Sequence, residues 1–221
     1  MPGVAVAVAA SPVAKAGGAG GGALEWWQGY SAPALLAYDG LTAASLAAAQ
    51  VNLANPGTYD LTVVGTGGTL DPTYGLYGNA GGGWSTGYTA VPSGGKVANL
   101  TAAVWCSKLD WTSRLFGTVT LTWGTADAFG FMADTYMAAG NGQFKGSLGG
   151  GAGAIVYLIV GQALYRAGSL VATLTGTAMV TSSILQLCNQ SGRRPGVMRA
   201  ALFNGVFNAG DIADISSRML A

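Results

Sequence analysis

The fold of this chain is decided by the stretch Gly161-Gln-Ala-Leu-Tyr-Arg-Ala-Gly-Ser-Leu-Val-Ala-Thr-Leu-Thr175. Two sets of residues alternate along it: Leu164, Gly168, Leu170, Ala172 and Leu174 alternate with Tyr165, Ser169, Val171 and Thr173. A period of two residues is typical of a β-strand, and a glycine between two such segments favours a tight turn. The stretch therefore predicts two strands joined by a turn at Gly168, and no catalytic chemistry is needed to explain it.

Two stretches nearer the C-terminus extend this pattern. They are Ser183-Ile-Leu-Gln-Leu-Cys-Asn-Gln190 and Ala200-Ala-Leu-Phe-Asn-Gly-Val-Phe-Asn-Ala-Gly-Asp-Ile-Ala-Asp-Ile-Ser216. Together with the first stretch they resemble the end of a laminin-G-like, concanavalin-type jelly roll. Members of that family tend to carry Tyr-x-x-Gly in one strand, Gly/Cys-Asn at the end of another, and Phe-Asn-x-x-Leu in a strand that leads into a short terminal helix. The resemblance implies an all-β antiparallel jelly-roll sandwich.

A second resemblance lies upstream, between Leu36 and Leu61, where Asn52-Leu-Ala-Asn-Pro-Gly57 is the most specific part. This segment resembles the opening of the laminin-G-like modules of phage and environmental virus structural proteins. The two resemblances together span about residues 30–220. They imply the fold more strongly than the function, because the same fold serves lectins, adhesion modules, hydrolases and structural proteins.

Composition favours one β-domain, residues 25–221, preceded by a low-complexity N-terminal arm, residues 1–24. The 221 residues include 37 Gly and are 50% hydrophobic, but only 9% are charged, against about 25% in ordinary soluble domains. A surface with so little charge predicts an assembly that covers part of it. The arm cannot fold alone, and it lacks the leading positive charge of a signal peptide. We expect a partner to bind at Val4, Val6 and Val8 in the arm and at Trp26 and Trp27, which follow it.

Short helices and a buried core are predicted from local patterns. Thr42 is the expected N-cap of a helix that ends at Ala49, and Asn208 that of a helix that ends at Met219. The apolar segment 154–161 is too short for a membrane-spanning helix, and its β-branched residues predict a buried central strand. The predicted core between two sheets includes Trp105, Leu121, Ile155, Tyr157, Ile159, Leu185, Leu187 and Leu202.

The residue types that the sequence lacks argue against most enzymatic activities. The chain has no histidine, Glu25 is its only glutamate, and its aspartates are dispersed. No acid and base pair of the kind that hydrolysis requires is therefore expected. Two cysteines without histidine argue against a zinc site, and we expect no metal and no cofactor. Cys106 and Cys188 are interpreted either as buried thiols or as a disulfide across the sandwich.

Partners follow from charge and aromatic content. A net charge of +1 with scattered Lys and Arg provides no basic stripe for nucleic acid. Four aromatic residues near turns are candidates for stacking on a glycan, unless they belong to the core or to an interface: Trp84, Tyr88, Trp111 and Trp123.

We predict a non-enzymatic virion structural or capsid-decorating protein that assembles through its N-terminal arm and its sandwich surface. It would bind other virion subunits, as a homo-oligomer or on a capsid, without contacting nucleic acid or membrane. It would lie at the particle surface after assembly in the host cytoplasm. The alternative is a carbohydrate-binding or adhesion module that contacts host glycans.

Overall fold

The structure is a computed structural model that describes residues 24–89, 99–108, 114–118, 129–132, 136–139, 142–145, 155–173, 184–190 and 194–221. The described residues form fifteen strands and two helices. The strands are β1 Ala34–Asp39, β2 Thr62–Gly65, β3 Gly68–Asp71, β4 Gly75–Gly78, β5 Gly82–Thr89, β6 Thr101–Lys108, β7 Arg114–Thr118, β8 Phe129–Met132, β9 Tyr136–Ala139, β10 Gly142–Lys145, β11 Ile155–Val160, β12 Ala163–Arg166, β13 Ser169–Thr173, β14 Ile184–Gln190 and β15 Gly196–Phe203. The helices are α1 Leu46–Ala49 and α2 Ala209–Arg218.

The strands form two antiparallel sheets, which confirms the predicted all-β sandwich. The first sheet has the order β13-β12-β11-β6-β15-β4-β3, and β1 also pairs with β15. The second has the order β10-β9-β8-β7-β14-β5-β2. The hairpin of β12 and β13, with its turn at Ala167 and Gly168, is the one predicted from the first stretch. The apolar segment 155–160 is a central strand, as expected, because β6 and β12 flank it.

The core lies between the sheets. Tyr157, Ile159, Leu185, Leu187 and Leu202 are fully buried there, as predicted. Ile155 is only partly buried against this core. The predicted core residue Leu121 lies outside the described residues.

A second apolar cluster covers the outer face of the first sheet. Helix α2 lays Ile212, Ile215 and Met219 on this face, beside Phe203. The predicted inter-sheet residue Trp105 belongs to this outer cluster instead. The physical reason is the strand period of two: Val104 and Cys106, on either side of Trp105, face the inter-sheet core.

Of the two predicted helix N-caps, one is confirmed and the other is wrong. Asn208 caps α2 as expected, and its side chain forms a reciprocal capping box with Asp211. The predicted N-cap Thr42 is wrong, because α1 begins at Leu46 with Ser45 as its cap. The carboxylate of Asp39 accepts the backbone N–H of Thr42 at 2.9 Å and holds this segment in a turn.

Asn52, the first residue of the specific upstream motif, is a fully buried polar junction. Its Oδ1 accepts the backbone N–H groups of Ala37 at 3.0 Å and Ala54 at 3.2 Å. Its Nδ2 donates to the carbonyl oxygens of Leu35 at 3.2 Å and Thr58 at 2.9 Å. The amide therefore joins β1 to the loop that follows α1.

The two cysteines are free and buried, so the disulfide interpretation is wrong for this structure. Burial raises the pKa of the Cys106 thiol to about 12. Burial, together with the nearby Cys106, also raises the pKa of the Cys188 thiol. In the described part of the chain, neither helix has the length and apolar character that a membrane span requires.

Candidate functional site

A cluster of two tyrosines and one lysine lies at the surface of the first sheet. The turn between β3 and β4 is fixed by Asp71, whose Oδ1 accepts the backbone N–H groups of Thr73 at 2.8 Å and Tyr74 at 3.0 Å. Gly75 follows with φ 72°, a conformation that favours glycine. This turn places the ring of Tyr74 on that of Tyr77, with centroids 5.1 Å apart and an interplanar angle of 29°.

Lys108 joins this pair from a strand that is not adjacent to β4. Tyr77 and Lys108 both pair in register with Gly196, on the intervening strand β15. A Cβ at Gly196 would lie 2.9 Å from the Cβ of Tyr74, closer than ordinary packing allows. Across β15, the Nζ of Lys108 donates to the Tyr77 hydroxyl at 2.6 Å.

The resulting tyrosine–lysine cluster, defined as Tyr74, Tyr77 and Lys108, combines three kinds of contact group. Both rings are half-buried, and the Nζ of Lys108 lies 5.2 Å from the Tyr74 centroid and 4.7 Å from the Tyr77 centroid. Those distances permit cation–π attraction, which holds the ammonium against the rings. The cluster therefore offers aromatic surface, a phenolic hydroxyl and a positive charge at one place.

The aromatic residues predicted to stack on a glycan lie elsewhere. Trp84 is fully buried in the core, where Gly68 leaves room for its ring because a Cβ there would lie 2.2 Å from it. Tyr88 is 8% exposed, with its ring packed edge-on against Tyr59 at 5.0 Å. Neither ring can present a face to a sugar, and both assignments are corrected. Trp111 and Trp123 lie outside the described residues.

The predicted partner-binding residue Trp26 is an internal anchor. It is 6% exposed, and its Nε1 donates to the carboxylate of Asp39 at 3.1 Å. The same carboxylate oxygen accepts from the Nε of Arg199 at 3.0 Å. Arg199 in turn donates to the carbonyl oxygens of Arg218 at 2.9 Å and Met219 at 3.0 Å, at the end of α2. Trp26 is therefore corrected from a partner contact to a residue that fastens the segment after the arm.

The other residues predicted to bind a partner remain predictions. Trp27 is half-buried, and Val4, Val6 and Val8 lie outside the described residues. In the portion of the chain that the structure describes, no three Asp, Glu, Cys or His side chains gather into a metal-binding group.

The fold belongs to the class of antiparallel β-sandwich domains. It is similar to the receptor binding domain of botulinum neurotoxin D, with a TM-score of 0.55 and 11% identity over 84% of this chain and 52% of that one. It is also similar to the binding domain of botulinum neurotoxin DC in complex with rat synaptotagmin II, with a TM-score of 0.52 and 11% identity over 85% and 52%. The chain thus spans about half the length of these solved domains. No protein-family model and no curated protein matches the sequence.

Proposed function

We propose that this chain is a non-enzymatic binding module that attaches to a glycan-bearing surface through the tyrosine–lysine cluster. The observation that carries the proposal is the stacked, half-buried pair of Tyr74 and Tyr77 held beside Lys108. Support for a binding role comes from the fold, because the similar solved structures are a receptor binding domain and a binding domain. The absence of histidine and of paired carboxylates from the sequence argues against hydrolysis.

The chemistry of the cluster fits a carbohydrate. The face of a tyrosine ring covers the apolar face of a pyranose, while a few placed polar groups fix its orientation. The Tyr77 hydroxyl and the Lys108 ammonium can supply these polar contacts to sugar hydroxyls. The positive charge of Lys108 also favours sugars that carry a carboxylate.

A glycan array followed by titration calorimetry tests this proposal. We expect Tyr74→Ala and Tyr77→Ala each to weaken binding of the glycans captured by the native chain at least tenfold, about 1.4 kcal/mol. Tyr59→Ala is the matched control, because Tyr59 is 43% exposed but lies outside the cluster. Lys108→Met should weaken binding of acidic glycans more than binding of neutral ones.

Two outcomes would contradict the proposal. One is an array without any captured glycan at concentrations where a weak lectin binds. The other is glycan binding that Tyr59→Ala reduces as much as Tyr74→Ala does. Urea unfolding of each variant shows whether lost binding reflects lost fold.

A second proposal is the virion role that the sequence favours. Several apolar side chains are exposed, among them Val63 at 60%, Leu170 at 59% and Val206 at 52%, on a chain that is only 9% charged. We propose that this surface contacts other subunits of a phage-like particle, on which the chain would be a structural or decorating protein after assembly in the host cytoplasm. Co-sedimentation of the chain with purified particles would support this role. A chain that stays soluble and monomeric beside intact particles would refute it. Both roles can belong to one protein.

A further inference from the structure

The loop between β15 and α2 contains an asparagine that is followed directly by a glycine, Asn204-Gly205. Asn204 is exposed, and within the described part of the chain its side-chain amide makes no hydrogen bond. Its backbone is held in place, because its N–H donates to the carbonyl oxygen of Pro33 at 2.9 Å. The side-chain Cγ of Asn204 is therefore open to attack by the nitrogen of the next residue.

Gly205 is suited to be the attacking residue. It has no side chain to shield its backbone nitrogen, and among the described residues its N–H donates to no acceptor. Packing also requires a glycine here, because a Cβ at this position would lie 2.7 Å from the Cβ of Ala32. The fold thus keeps an unshielded backbone nitrogen directly after Asn204.

The other asparagines that the structure describes lack this combination. Each of them precedes a residue other than glycine: Asn52, Asn55, Asn79, Asn99, Asn189 and Asn208. Asn55 is exposed but precedes Pro56, whose nitrogen has no hydrogen to lose. Asn208 is exposed, but its Oδ1 accepts the backbone N–H of Asp211 at 3.0 Å. The sequence has a second Asn-Gly pair, whose Asn141 lies outside the described residues.

We propose that Asn204 is a site of spontaneous deamidation and that the product loosens α2. The nitrogen of Gly205 bonds to Cγ of Asn204 and loses its proton to hydroxide, while the side-chain nitrogen takes up a proton and leaves as ammonia. Water then opens the resulting succinimide ring. Opening at Cγ gives aspartate, and opening at the main-chain carbonyl gives isoaspartate, in which the chain continues through Cγ. Neither step requires an oxidant or a reductant.

Isoaspartate adds one methylene to the main chain at the point where the loop is held to the first sheet. Thr101, which is fully buried, holds the loop twice. Its Oγ1 donates to the carbonyl oxygen of Gly205 at 2.8 Å and accepts the backbone N–H of Phe207 at 3.2 Å. Asn208, the next residue, caps α2. A longer main chain between Asn204 and Phe207 therefore displaces the loop from Thr101 and weakens the docking of α2.

Timed incubation of the full-length chain at pH 8, followed by peptide mapping with mass spectrometry, tests the site. We expect Asn204 to convert to aspartate and isoaspartate at least about tenfold faster than Asn55 and Asn208, the internal controls. Asn204→Gln should block conversion at this position, because its longer side chain would have to close a larger ring. A synthetic peptide with the sequence of residues 202–207 gives the rate without the fold. An Asn204 that stays intact in the native chain while the peptide converts would refute the proposal.

Hydrogen exchange of the separated products tests the effect on α2. We expect the peptide covering α2 to exchange at least about fivefold faster in the isoaspartyl form than in the fresh chain, with β5 of the other sheet unchanged. Freshly prepared Asn204→Asp is the matched control, because it adds the negative charge without lengthening the main chain, and it should exchange like the fresh chain. Equal acceleration in Asn204→Asp would overturn the role of chain length. Unchanged exchange in the isoaspartyl form would refute the effect on α2.

Discussion

Replacing Asn52 by alanine tests how the most specific motif of the upstream segment stabilises the fold. The substitution removes four hydrogen bonds, made with Ala37, Ala54, Leu35 and Thr58. The N–H of Ala37 belongs to a fully buried residue, so its loss of a partner costs about 1–3 kcal/mol. Thr58 is exposed, and water can replace its lost bond. Adding about 1 kcal/mol for the remaining bonds, we expect the free energy of unfolding to fall by about 2–4 kcal/mol.

Urea unfolding followed by tryptophan fluorescence measures this change, since Trp26, Trp84 and Trp105 are buried. Asn55→Ala is the matched control, because it deletes the same atoms from an exposed position three residues further on. The control should change the free energy of unfolding by less than about 0.5 kcal/mol. In a thermal melt, Asn52→Ala should lower Tm by about 4–16 °C for a domain of this size. Equal losses in the two variants would refute the assignment of Asn52 as a buried junction.

Three further predictions concern the core, a helix cap and the thiols. In urea unfolding, Ile159→Ala should lower the free energy of unfolding by about 2–5 kcal/mol, and Ile184→Ala should lower it clearly less. The reason is that Ile159 is 0% exposed and Ile184 is 40% exposed. Equal losses in the two variants would contradict the assigned burial. Asn208→Ala should cost about 1 kcal/mol through loss of the cap, and an unchanged unfolding midpoint would exclude that role. Cys106 and Cys188 should resist a thiol reagent at pH 8 until the chain is unfolded, and fast labelling of the native chain would contradict their burial.

The raised pKa of the Cys106 thiol also predicts how the free energy of unfolding changes with pH. Because folding raises the pKa of the Cys106 thiol to about 12, the folded state favours the protonated form. The resulting stability is fully present below the unfolded pKa of about 8.5. It is lost progressively as the pH rises from there toward 12.

The sequence predicted those parts of the fold that depend on local pattern. The β12–β13 hairpin follows from alternation around a glycine, and the cap of α2 follows from Asn208 and Asp211, three residues apart. The prediction of Thr42 as the N-cap of α1 is wrong, because Asp39 holds Thr42 in a turn. Asp39 also binds Arg199, which lies on another strand. That contact joins residues 160 positions apart, and no local pattern contains it.

The prediction that Trp84 stacks on a glycan is wrong for the same reason, because its burial depends on residues that are distant in the sequence. A tryptophan beside glycines suits a surface turn as well as a core, and Trp84 is buried because Gly68, on another strand, makes room for its ring. The tyrosine–lysine cluster was missed because Lys108 is 31 positions from Tyr77. Only the Tyr-x-x-Tyr spacing around Gly75 was visible in the sequence.

The position of this cluster follows from how the outer face of the first sheet is covered. Strands β11, β6 and β15 present apolar side chains there, including Leu158, Ala103 and Phe203, and α2 packs against them. Beyond β15, strand β4 instead presents Tyr77, which stays half-buried beside Lys108. Its neighbour Leu76 is fully buried in the inter-sheet core. Tyr77 and Lys108 are therefore held by regular strands with buried neighbours, and Tyr74 is held by the turn that Asp71 fixes.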